Sequence, residues 1–557
     1  GEWCKRFSRK EKWSKLDSKT LKYHWDDREK LRKDYSYLQK LHEILLKDLS
    51  KQLNRIHKVN YSIRYWRILI GPWLGYFIQA LFDRWNTLNK GLKDYDIDGC
   101  YVLNNNMNGI VPTDMKNFTH LFLDDKWNEV IFSQLLCSCK GNGLDITLVN
   151  ASSSDSSLNN NSKLKDTLKI LLSKLSGYTA RKRDYFFISS YIPLLTQLKL
   201  QARLNQIPSL WYSPQVDYCD IDLRQREWVM DNSDSLDEFI KVACQFIPNH
   251  IPVAYLEGYK LLKHCVKQVK WPKNPKAIFT SNAYAHDEVF KAWTAEKTEN
   301  GTPFIIGQHG GRFGMTPFAF FEDHQIDISD KFLSWGWDNP RNSKIKPFGN
   351  IKLLNERLKY NPNGDALMIE MSMPRYSYHL YAASISSQWL SYFNDQCNFM
   401  KILPSALRKQ VLVRLYNYDY GWDQKLRWES EFSDIKFDLG DAPIKKLLEN
   451  SRLCISTYNA TSYLETLAWN MPTIVFWDEE YWELNQDAIT YFSLLSDAGI
   501  LHTTPQSAAQ KVIEIWDDIE TWWASESVQN ARKNFCEKYS RNIERPVKEL
   551  KIAITTK

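Results

Sequence analysis

The sequence lacks the features that identify membrane-spanning, disulfide-bonded or zinc-binding proteins. Its longest uncharged apolar run, residues 68–82, has 15 residues, whereas a membrane-spanning helix needs about 20. The ten cysteines form no CxxC pair and no spacing typical of metal ligands, which argues against a structural zinc site. Scattered cysteines are typical of a reducing compartment, so a cytoplasmic location is expected.

Two common nucleotide-binding signatures are also missing. The chain contains neither a P-loop nor a GxGxxG fingerprint, which argues against a P-loop ATPase and a dinucleotide-dependent oxidoreductase. No motif recurs at the period of a solenoid. The commonest nucleotide-binding and repeat folds are therefore set aside.

The excess of positive charge lies at the N-terminus. The formal net charge is +7, and residues 1–50 contain 14 Lys and Arg against 9 Asp and Glu. A nucleic-acid-binding protein more often carries a basic stripe through its folded domains, so no nucleic-acid partner is expected. The basic segment fits either a solvated helical face or peripheral contact with an anionic membrane.

The hydrophobic pattern is that of a large α/β protein rich in aromatic residues. Apolar residues make up 43% of the chain and aromatic residues 14%, with 22 Trp, which favours a large core or a cleft that stacks on sugars. Residues 68–82 predict a buried or interfacial helix, and the Ser- and Asn-rich residues 151–163 predict a surface loop. An amphipathic helix is predicted from four leucines at helical spacing, namely Leu38, Leu41, Leu45 and Leu49.

From residue 95 onward, short apolar segments alternate with helical ones. Strands are predicted at 99–104, 119–124, 184–192, 277–282 and 303–311, and then at 363–371, 410–416, 451–458 and 471–478. Helices are predicted at 127–138, 194–204, 285–297, 461–470 and 514–540. This alternation is typical of parallel sheets covered on both faces by helices.

Two such units indicate an α/β fold in which two Rossmann-type parallel-sheet domains face a cleft behind a helical N-terminal region. Prolines and glycines cluster at the junction, near residues 340–362. The predicted division is a helical region at 1–94, a first Rossmann-type domain at 95–345, a second at 346–530 and a C-terminal helix at 531–557.

The segment STYNATSYLETLAWNMP, residues 456–472, is a candidate nucleotide site. A strand ends at Thr457, and Thr461 or Ser462 can begin the next helix. The amino end of a helix binds phosphate through its free N–H groups. Glu465, one turn later, could accept hydrogen bonds from a ribose diol. The alternative is a well-capped crossover with Glu465 as a capping partner.

A second candidate is the glycine-rich segment at residues 308–314, which follows an apolar predicted strand. Gly310 and Gly311 let a ligand approach the backbone closely. Arg312 offers a planar fork for phosphate or carboxylate, and His309 could donate to phosphate or carry a proton. The alternative is a tight turn with a satisfied histidine.

The chain resembles a family of bacterial surface-carbohydrate transferases of the GT-B type, and within it the enzymes that transfer Kdo or related ulosonic acids from CMP-activated donors. The resemblance extends over most of the chain and is carried by residues 68–85, 305–314, 324–337 and 451–477. It implies a GT-B-like fold, with residues 95–345 as the acceptor-side domain and 346–530 as the donor-nucleotide domain. It also implies a glycosyltransferase of lipopolysaccharide O-antigen or capsule synthesis, acting with retention on a glycan acceptor. The acceptor could be linked to a lipid, which would bring the enzyme to the inner membrane.

A glycosyltransferase of this kind needs a carboxylate as base or nucleophile. Glu322 and Asp327 are candidates in an acidic segment after the glycine loop, which could otherwise be a solvated acidic turn. Asp114 and Asp125 are equal candidates from the acceptor-side domain, each expected to follow a strand.

The resemblance also implies no cofactor and no metal ion, since GT-B enzymes usually need none. The sequence has no DxD motif in the setting that a metal-dependent transferase would use. Arg414, at the end of a predicted strand, could hold the donor's phosphate or carboxylate, or could form an interdomain salt bridge. Other CMP-activated sugars, UDP or GDP sugars, and a non-catalytic glycan- or nucleotide-binding role stay open as alternatives.

Overall fold

The structure is a computed structural model that describes residues 1–103, 109–138, 144–149, 173 and 175–556. The loop predicted at 151–163 lies outside the described residues. Two parallel sheets and a layer of N-terminal helices account for the architecture of the described part.

The N-terminal region is built around two long helices. These are α2 (Arg28–His57) and α3 (Ile63–Asp94), which follow the short α1 (Lys10–Trp13). The four leucines of the predicted amphipathic helix are buried on α2, and residues 68–82 are buried within α3, which confirms both predictions. None of the described helices is long and apolar enough to cross a bilayer.

The first large sheet has five parallel strands in sequential order. They are β3 (Phe186–Phe187), β4 (Ile278–Thr280), β5 (Phe304–Gly307), β6 (Lys331–Ser334) and β7 (Ile345–Pro347). A separate parallel pair is β1 (Gly99–Leu103) with β2 (Asp145–Val149). The helices of this half are α4 (Met115–Leu121), α5 (Asp125–Ser138), α6 (Leu194–Arg203), α7 (Glu238–His250), α8 (Tyr259–Gln268), α9 (Ala283–His286), α10 (Glu288–Glu299) and α11 (Phe320–Ile328).

The second sheet has six parallel strands in the order β10-β9-β8-β11-β12-β13. They are β8 (Asp365–Ile369), β9 (Val411–Arg414), β10 (Lys436–Asp438), β11 (Ser451–Ser456), β12 (Thr473–Phe476) and β13 (Leu501–His502). The direction of progression reverses between β8 and β11, and ligands of open α/β sheets bind at the carboxyl ends of strands at such a reversal. The helices are α12 (Trp389–Ile402), α13 (Ser405–Arg408), α14 (Gln424–Glu431), α15 (Ile444–Glu449), α16 (Thr461–Ala468), α17 (Gln486–Asp497), α18 (Pro505–Ile515), α19 (Ile519–Ala524), α20 (Glu526–Tyr539) and α21 (Pro546–Thr555).

These two sheets confirm the predicted GT-B-like α/β fold, with two Rossmann-type halves behind a helical N-terminal region. The division into four segments stays a prediction, although its proposed boundary at 345/346 falls within β7. The last helix, α21, packs against α6 of the first half.

One predicted strand and one alternative interpretation are wrong. Residues 119–124 do not form a strand, because Asp114 caps a helix there and Met115, Phe118 and Phe122 turn one apolar face into the core. The acidic segment after the glycine loop is not a solvated turn but the helix α11. Of residues 184–192, only Phe186–Phe187 are in a strand.

Close packing of α11 against α3 explains the glycines within the apolar segment. Gly71 and Gly75 lie one turn apart, and a β-carbon there would come within 2.7 Å of His324 and 1.8 Å of Phe320. His324 and Phe320 are themselves one turn apart on α11. The matching one-turn spacing on the two helices sets how closely α11 packs against α3.

A buried charge network joins α3 to the second half of the chain. The fully buried Arg84 donates to Asn128 Oδ1 at 2.6 and 2.9 Å, to Asp83 Oδ2 at 3.0 Å and to the carbonyl of Ser377. His24 Nε2 lies 3.1 Å from Asp83 Oδ1. Burial by itself would raise the pKa of Asp83, but the hydrogen bond from His24 and the charge of Arg84 hold it below its ordinary value.

Replacing this guanidinium should strongly destabilise the fold. We expect Arg84→Met to cost about 3 kcal/mol, because it leaves the buried carboxylate of Asp83 without its cation. Thermal unfolding of the variant measures the loss. Arg224→Met is the matched control, since Arg224 forms an ion pair with Asp222 but is 89% exposed. An unchanged melting temperature for Arg84→Met would contradict this account of the network.

Candidate active site

The glycine-rich segment predicted as a ligand loop joins the two halves of the molecule. It follows β5 and meets the amino end of α16, where Gly311 N donates to Thr461 Oγ1 at 2.9 Å. A β-carbon on Gly311 would lie 2.3 Å from the carbonyl oxygen of Ala460. The carboxyl ends of β5 and β11 therefore face each other across this contact.

Two side chains hold the loop, residues 308–314, one near each end. Gln308 is fully buried, donates to Gly310 O at 2.8 Å, and accepts from Trp335 N and Trp337 Nε1 at 2.9 and 2.8 Å. At the other end, Asn485 donates through Nδ2 to Gly314 O at 2.9 Å. The loop is thus fixed to both halves.

The amino end of α16 is open toward the loop. The residue before it, Ala460, has no side-chain cap, so no capping side chain competes for the first N–H groups of the helix. Thr457 lies at the reversal point, where its hydroxyl donates to Ile369 O at 2.9 Å and lies 2.6 Å from Tyr392 OH. Ser462 Oγ lies 3.2 Å from Tyr458 OH. Thr457 therefore positions the strand ends, whereas the helix terminus is available to an anion.

Arg312 extends over a tyrosine from the second half. Its backbone is left-handed, with φ of 62°, and its guanidinium lies 3.7 Å from the centre of the Tyr381 ring. The His379 ring stacks on Tyr381 at 4.2 Å. In the described part of the chain no carboxylate forms an ion pair with Arg312, so its charge is available to a ligand.

His309 is packed among aromatic rings. The centres of the Tyr191, Tyr284 and Phe313 rings lie 6.1, 6.3 and 5.7 Å from its own. Burial and the nearby charge of Lys352 lower the pKa of His309 to about 4. The imidazole is therefore neutral at pH 7 and can both donate and accept a hydrogen bond.

Glu322 is the predicted acid that lies beside this loop. Both of its carboxyl oxygens are 3.1 Å from Gly314 N. Burial and the neighbouring Asp323 raise the pKa of Glu322 to about 8. Burial likewise raises the pKa of Asp323 to about 6, and Tyr35 donates to that carboxylate. Glu322 is therefore largely protonated at pH 7.

The other predicted acids are engaged elsewhere. Asp114 caps α4, accepting from Asn117 N at 2.7 Å, and Asp125 begins α5 and pairs with Arg375 at 2.5 Å. Asp125 does not end a strand as expected, since the segment before it forms the helix α4. Asp327 is 56% exposed on α11, and its nearest cation is Arg67 at 3.9 Å.

Two predicted donor-binding residues have partners within the protein. Arg414 Nη1 lies 2.6 Å from Asp438 Oδ2 and also donates to the carbonyls of Ala442 and Gly440. This ion pair lies within the second half, so the alternative of an interdomain salt bridge is wrong. Glu465 forms an ion pair with Lys352, which follows β7.

Sequence reasoning missed Lys352, His379 and Tyr381. The signal for the last two was the aromatic-rich segment YSYHLY, residues 376–381, soon after a predicted strand. Lys352 gave no local signal, because its role depends on the approach of α16. Within the described residues, no group of three or more His, Cys, Asp or Glu could hold a metal ion; metal independence stays a prediction.

A polar pocket of about 470 Å³ adjoins this region at the carboxyl ends of β3 and β4. Its lining includes Asp114, Ser189, Asn282 and His286. Asn282 Nδ2 donates to Tyr191 OH at 3.2 Å, so one tyrosine contacts both this pocket and His309. Burial lowers the pKa of His286 to about 4.

The close contact at Gly311 predicts that alanine substitutions at two neighbouring glycines have different effects on the melting temperature. Gly311→Ala should lower the melting temperature by roughly 2–4 °C, because its β-carbon displaces the loop from Ala460. Gly310→Ala is the matched control, since its β-carbon meets only Thr461 Oγ1, at 3.6 Å. Equal melting temperatures for the two variants would show that the contact is looser than described.

Comparison with solved structures gives distant likenesses. MurG of Acinetobacter baumannii is 11% identical, with a TM-score of 0.33 over 67% of this chain and 100% of that one. WaaG, a glycosyltransferase involved in lipopolysaccharide biosynthesis, is 10% identical, with a TM-score of 0.31 over 67% and 100%. The wall teichoic acid polymerase TagF is 11% identical, with a TM-score of 0.31 over 52% and 73%.

Comparison with known sequences is decisive at the level of the family. No curated protein matches the chain significantly. The model of a family described as LIC12162 family transferase matches residues 1–554, nearly the whole length. The chain belongs to the LIC12162 family of transferases.

Proposed function

We propose that this transferase is a glycosyltransferase of bacterial surface-polysaccharide synthesis. It transfers a Kdo-type ulosonic acid from a CMP-activated donor to a glycan acceptor of lipopolysaccharide O-antigen or capsule, with retention of configuration. The acceptor is carried on a lipid, and the enzyme works in the cytoplasm at the periphery of the inner membrane. No cofactor or metal ion takes part.

One observation carries the proposal: the glycine loop of the first half meets the uncapped amino end of α16 in the second. Gly310 and Gly311 let the loop lie close to the helix end, α16 provides free N–H groups, and Arg312 provides a cation beside them. A CMP-linked ulosonic acid carries a phosphate and a carboxylate. The helix end and the adjacent guanidinium both suit the phosphate, and the guanidinium fork also suits the carboxylate.

The polar pocket supports the acceptor side of the proposal. Its Ser, Asn, Asp and neutral His side chains offer both donors and acceptors to sugar hydroxyls. It opens at the carboxyl ends of β3 and β4, next to His309 through Tyr191. An acceptor hydroxyl extending from this pocket toward Arg312 would reach the donor sugar.

Glu322 is the carboxylate we assign to the reaction, because it lies beside the loop whereas Asp114 and Asp125 cap or begin helices. In a retaining transfer its ionised oxygen attacks the anomeric carbon, and the bond from that carbon to the phosphate oxygen breaks to release CMP. The acceptor oxygen then displaces Glu322 and forms the glycosidic bond. Neutral His309 accepts the proton from that hydroxyl.

Nucleotide binding is the first prediction to test. CMP should raise the melting temperature and UDP or GDP should not, and Arg312→Gln should weaken CMP binding about tenfold, the usual effect of losing a charged hydrogen bond. Arg414→Gln is the comparison, because its guanidinium is already engaged by Asp438. Thermal shift titrations with each nucleotide measure these effects.

The outcomes separate the alternatives. Stabilisation by UDP or GDP in place of CMP would contradict the Kdo donor but keep a nucleotide-sugar enzyme. No shift with any nucleotide would favour a non-catalytic glycan-binding protein. Loss of CMP binding in Arg414→Gln alone would move the donor to the edge of the second sheet.

The raised pKa of Glu322 predicts a distinctive pH dependence. Its folded-state pKa of about 8 lies above the ordinary value of 4.5. The stability that protonated Glu322 contributes is therefore fully present below pH 4.5 and is lost as the pH rises through about 8. Glu322→Gln should therefore melt above the wild type at pH 9. Because the nucleophile must be ionised, kcat/KM of the wild type should rise through about pH 8, and the variant should lose this activity.

Asp327→Asn is the matched control, since it removes an exposed carboxylate from the same helix. It should leave the pH–rate profile unchanged. Full activity in Glu322→Gln would exclude Glu322 as the nucleophile, whatever the melting temperatures show.

A further inference from the structure

A second pocket lies at the edge of the first sheet opposite to the active site. Its lining residues precede β3 and β4 or lie at the carboxyl ends of α8 and α10, so it surrounds the amino ends of the strands. The cavity measures about 500 Å³. We call it the basic pocket, because its lining includes six cations, namely Arg181, Lys182, Lys267, Lys270, Lys273 and Lys297.

These cations have little compensation. Glu296 is the one carboxylate among the lining residues that the structure describes, and it already pairs with Lys263. Burial and the charges of Lys267 and Lys297 lower the pKa of Lys263 to about 8. Like charges therefore repel one another here, and a bound anion would relieve that repulsion.

Aromatic residues give the pocket a rigid wall. Trp271 and Trp293 line it and meet edge to face, with ring centres 5.2 Å apart. Lys270 Nζ lies 3.9 Å above the ring of Tyr178, which is 75% exposed beside the pocket. The partial negative charge at the carboxyl end of a helix attracts lysines. The helix ends beside this pocket account for one or two of its cations, but not for six.

We propose that the basic pocket binds a group that carries two or more phosphate charges, remote from the site of transfer. Lysine ammonium groups bind phosphate as point charges, and several around one cavity favour a multiply charged anion over a single carboxylate. Such a group occurs as the headgroup of an anionic lipid or as a soluble polyphosphate. The inference does not depend on the proposed donor or acceptor.

Binding of pyrophosphate and of vesicles tests the proposal. Wild type, Lys270→Glu/Lys273→Glu and the matched control Lys409→Glu/Lys446→Glu are titrated with pyrophosphate and sedimented with vesicles of phosphatidylcholine containing cardiolipin, whose headgroup carries two phosphates. Both variants reverse two lysines that are exposed. The pocket variant should lose binding about tenfold or more, and the control should not, because only the pocket focuses the charges. Arg312→Gln should retain pyrophosphate binding at this site.

Each result tests either the proposal itself or the source of the bound phosphate. Pyrophosphate binding that only the pocket variant loses supports a soluble or substrate-borne phosphate, and vesicle binding that only this variant loses supports a lipid headgroup. Absence of binding to both probes in the wild type, or equal losses in both variants, would overturn the proposal. Melting temperatures check folding, and Lys270→Gln/Lys273→Gln replaces the reversal variant if that variant is destabilised.

Discussion

The contact of Gly311 with the amino end of α16 is the constraint on which the rest of the site depends. Gly311 N donates to the hydroxyl of Thr461 at 2.9 Å, and the contact leaves no room for a β-carbon. It sets how closely the carboxyl ends of the two sheets approach. Gln308 and Asn485 hold the loop from opposite halves. Arg312 and His309 are therefore positioned by both sheets at once, although the chain supplies both residues from one loop.

Burial then determines the charges within this frame. The same dehydration that makes His309 neutral keeps Glu322 protonated at pH 7, since each group loses the charged form that water would stabilise. The guanidinium of Arg312 thus lies over the Tyr381 ring, and no ionised carboxylate of the described residues pairs with it. An arriving anion meets an uncompensated cation and an open helix end, which favours binding of a phosphate or carboxylate over a neutral sugar.

Patterns local in sequence predicted most of the fold, and contacts between distant segments decided what was missed. The strands around 303–311 and 451–458 and the glycine loop were visible because apolar runs and glycines are local signals. The helix α4 was predicted as a strand because its few apolar residues fit both the helical and the strand period. Packing against the core determines which of the two forms. Arg414 and Glu465 seemed free for a ligand, but their partners Asp438 and Lys352 are 24 and 113 residues away.

The two ends of the chain also belong to this architecture. Near the N-terminus, the carbonyl of Trp3 accepts from Arg375 at 2.9 Å, and Arg28 pairs with Glu483 at 2.6 Å. At the other end, Lys331 of the first sheet donates to the carbonyl of Thr556 at 2.7 Å. The N-terminal segment thus contacts the second half of the molecule, and the C-terminal segment contacts the first half. These crossings support the loop contact in holding the two sheets together, because each ties a terminal segment to the distant half.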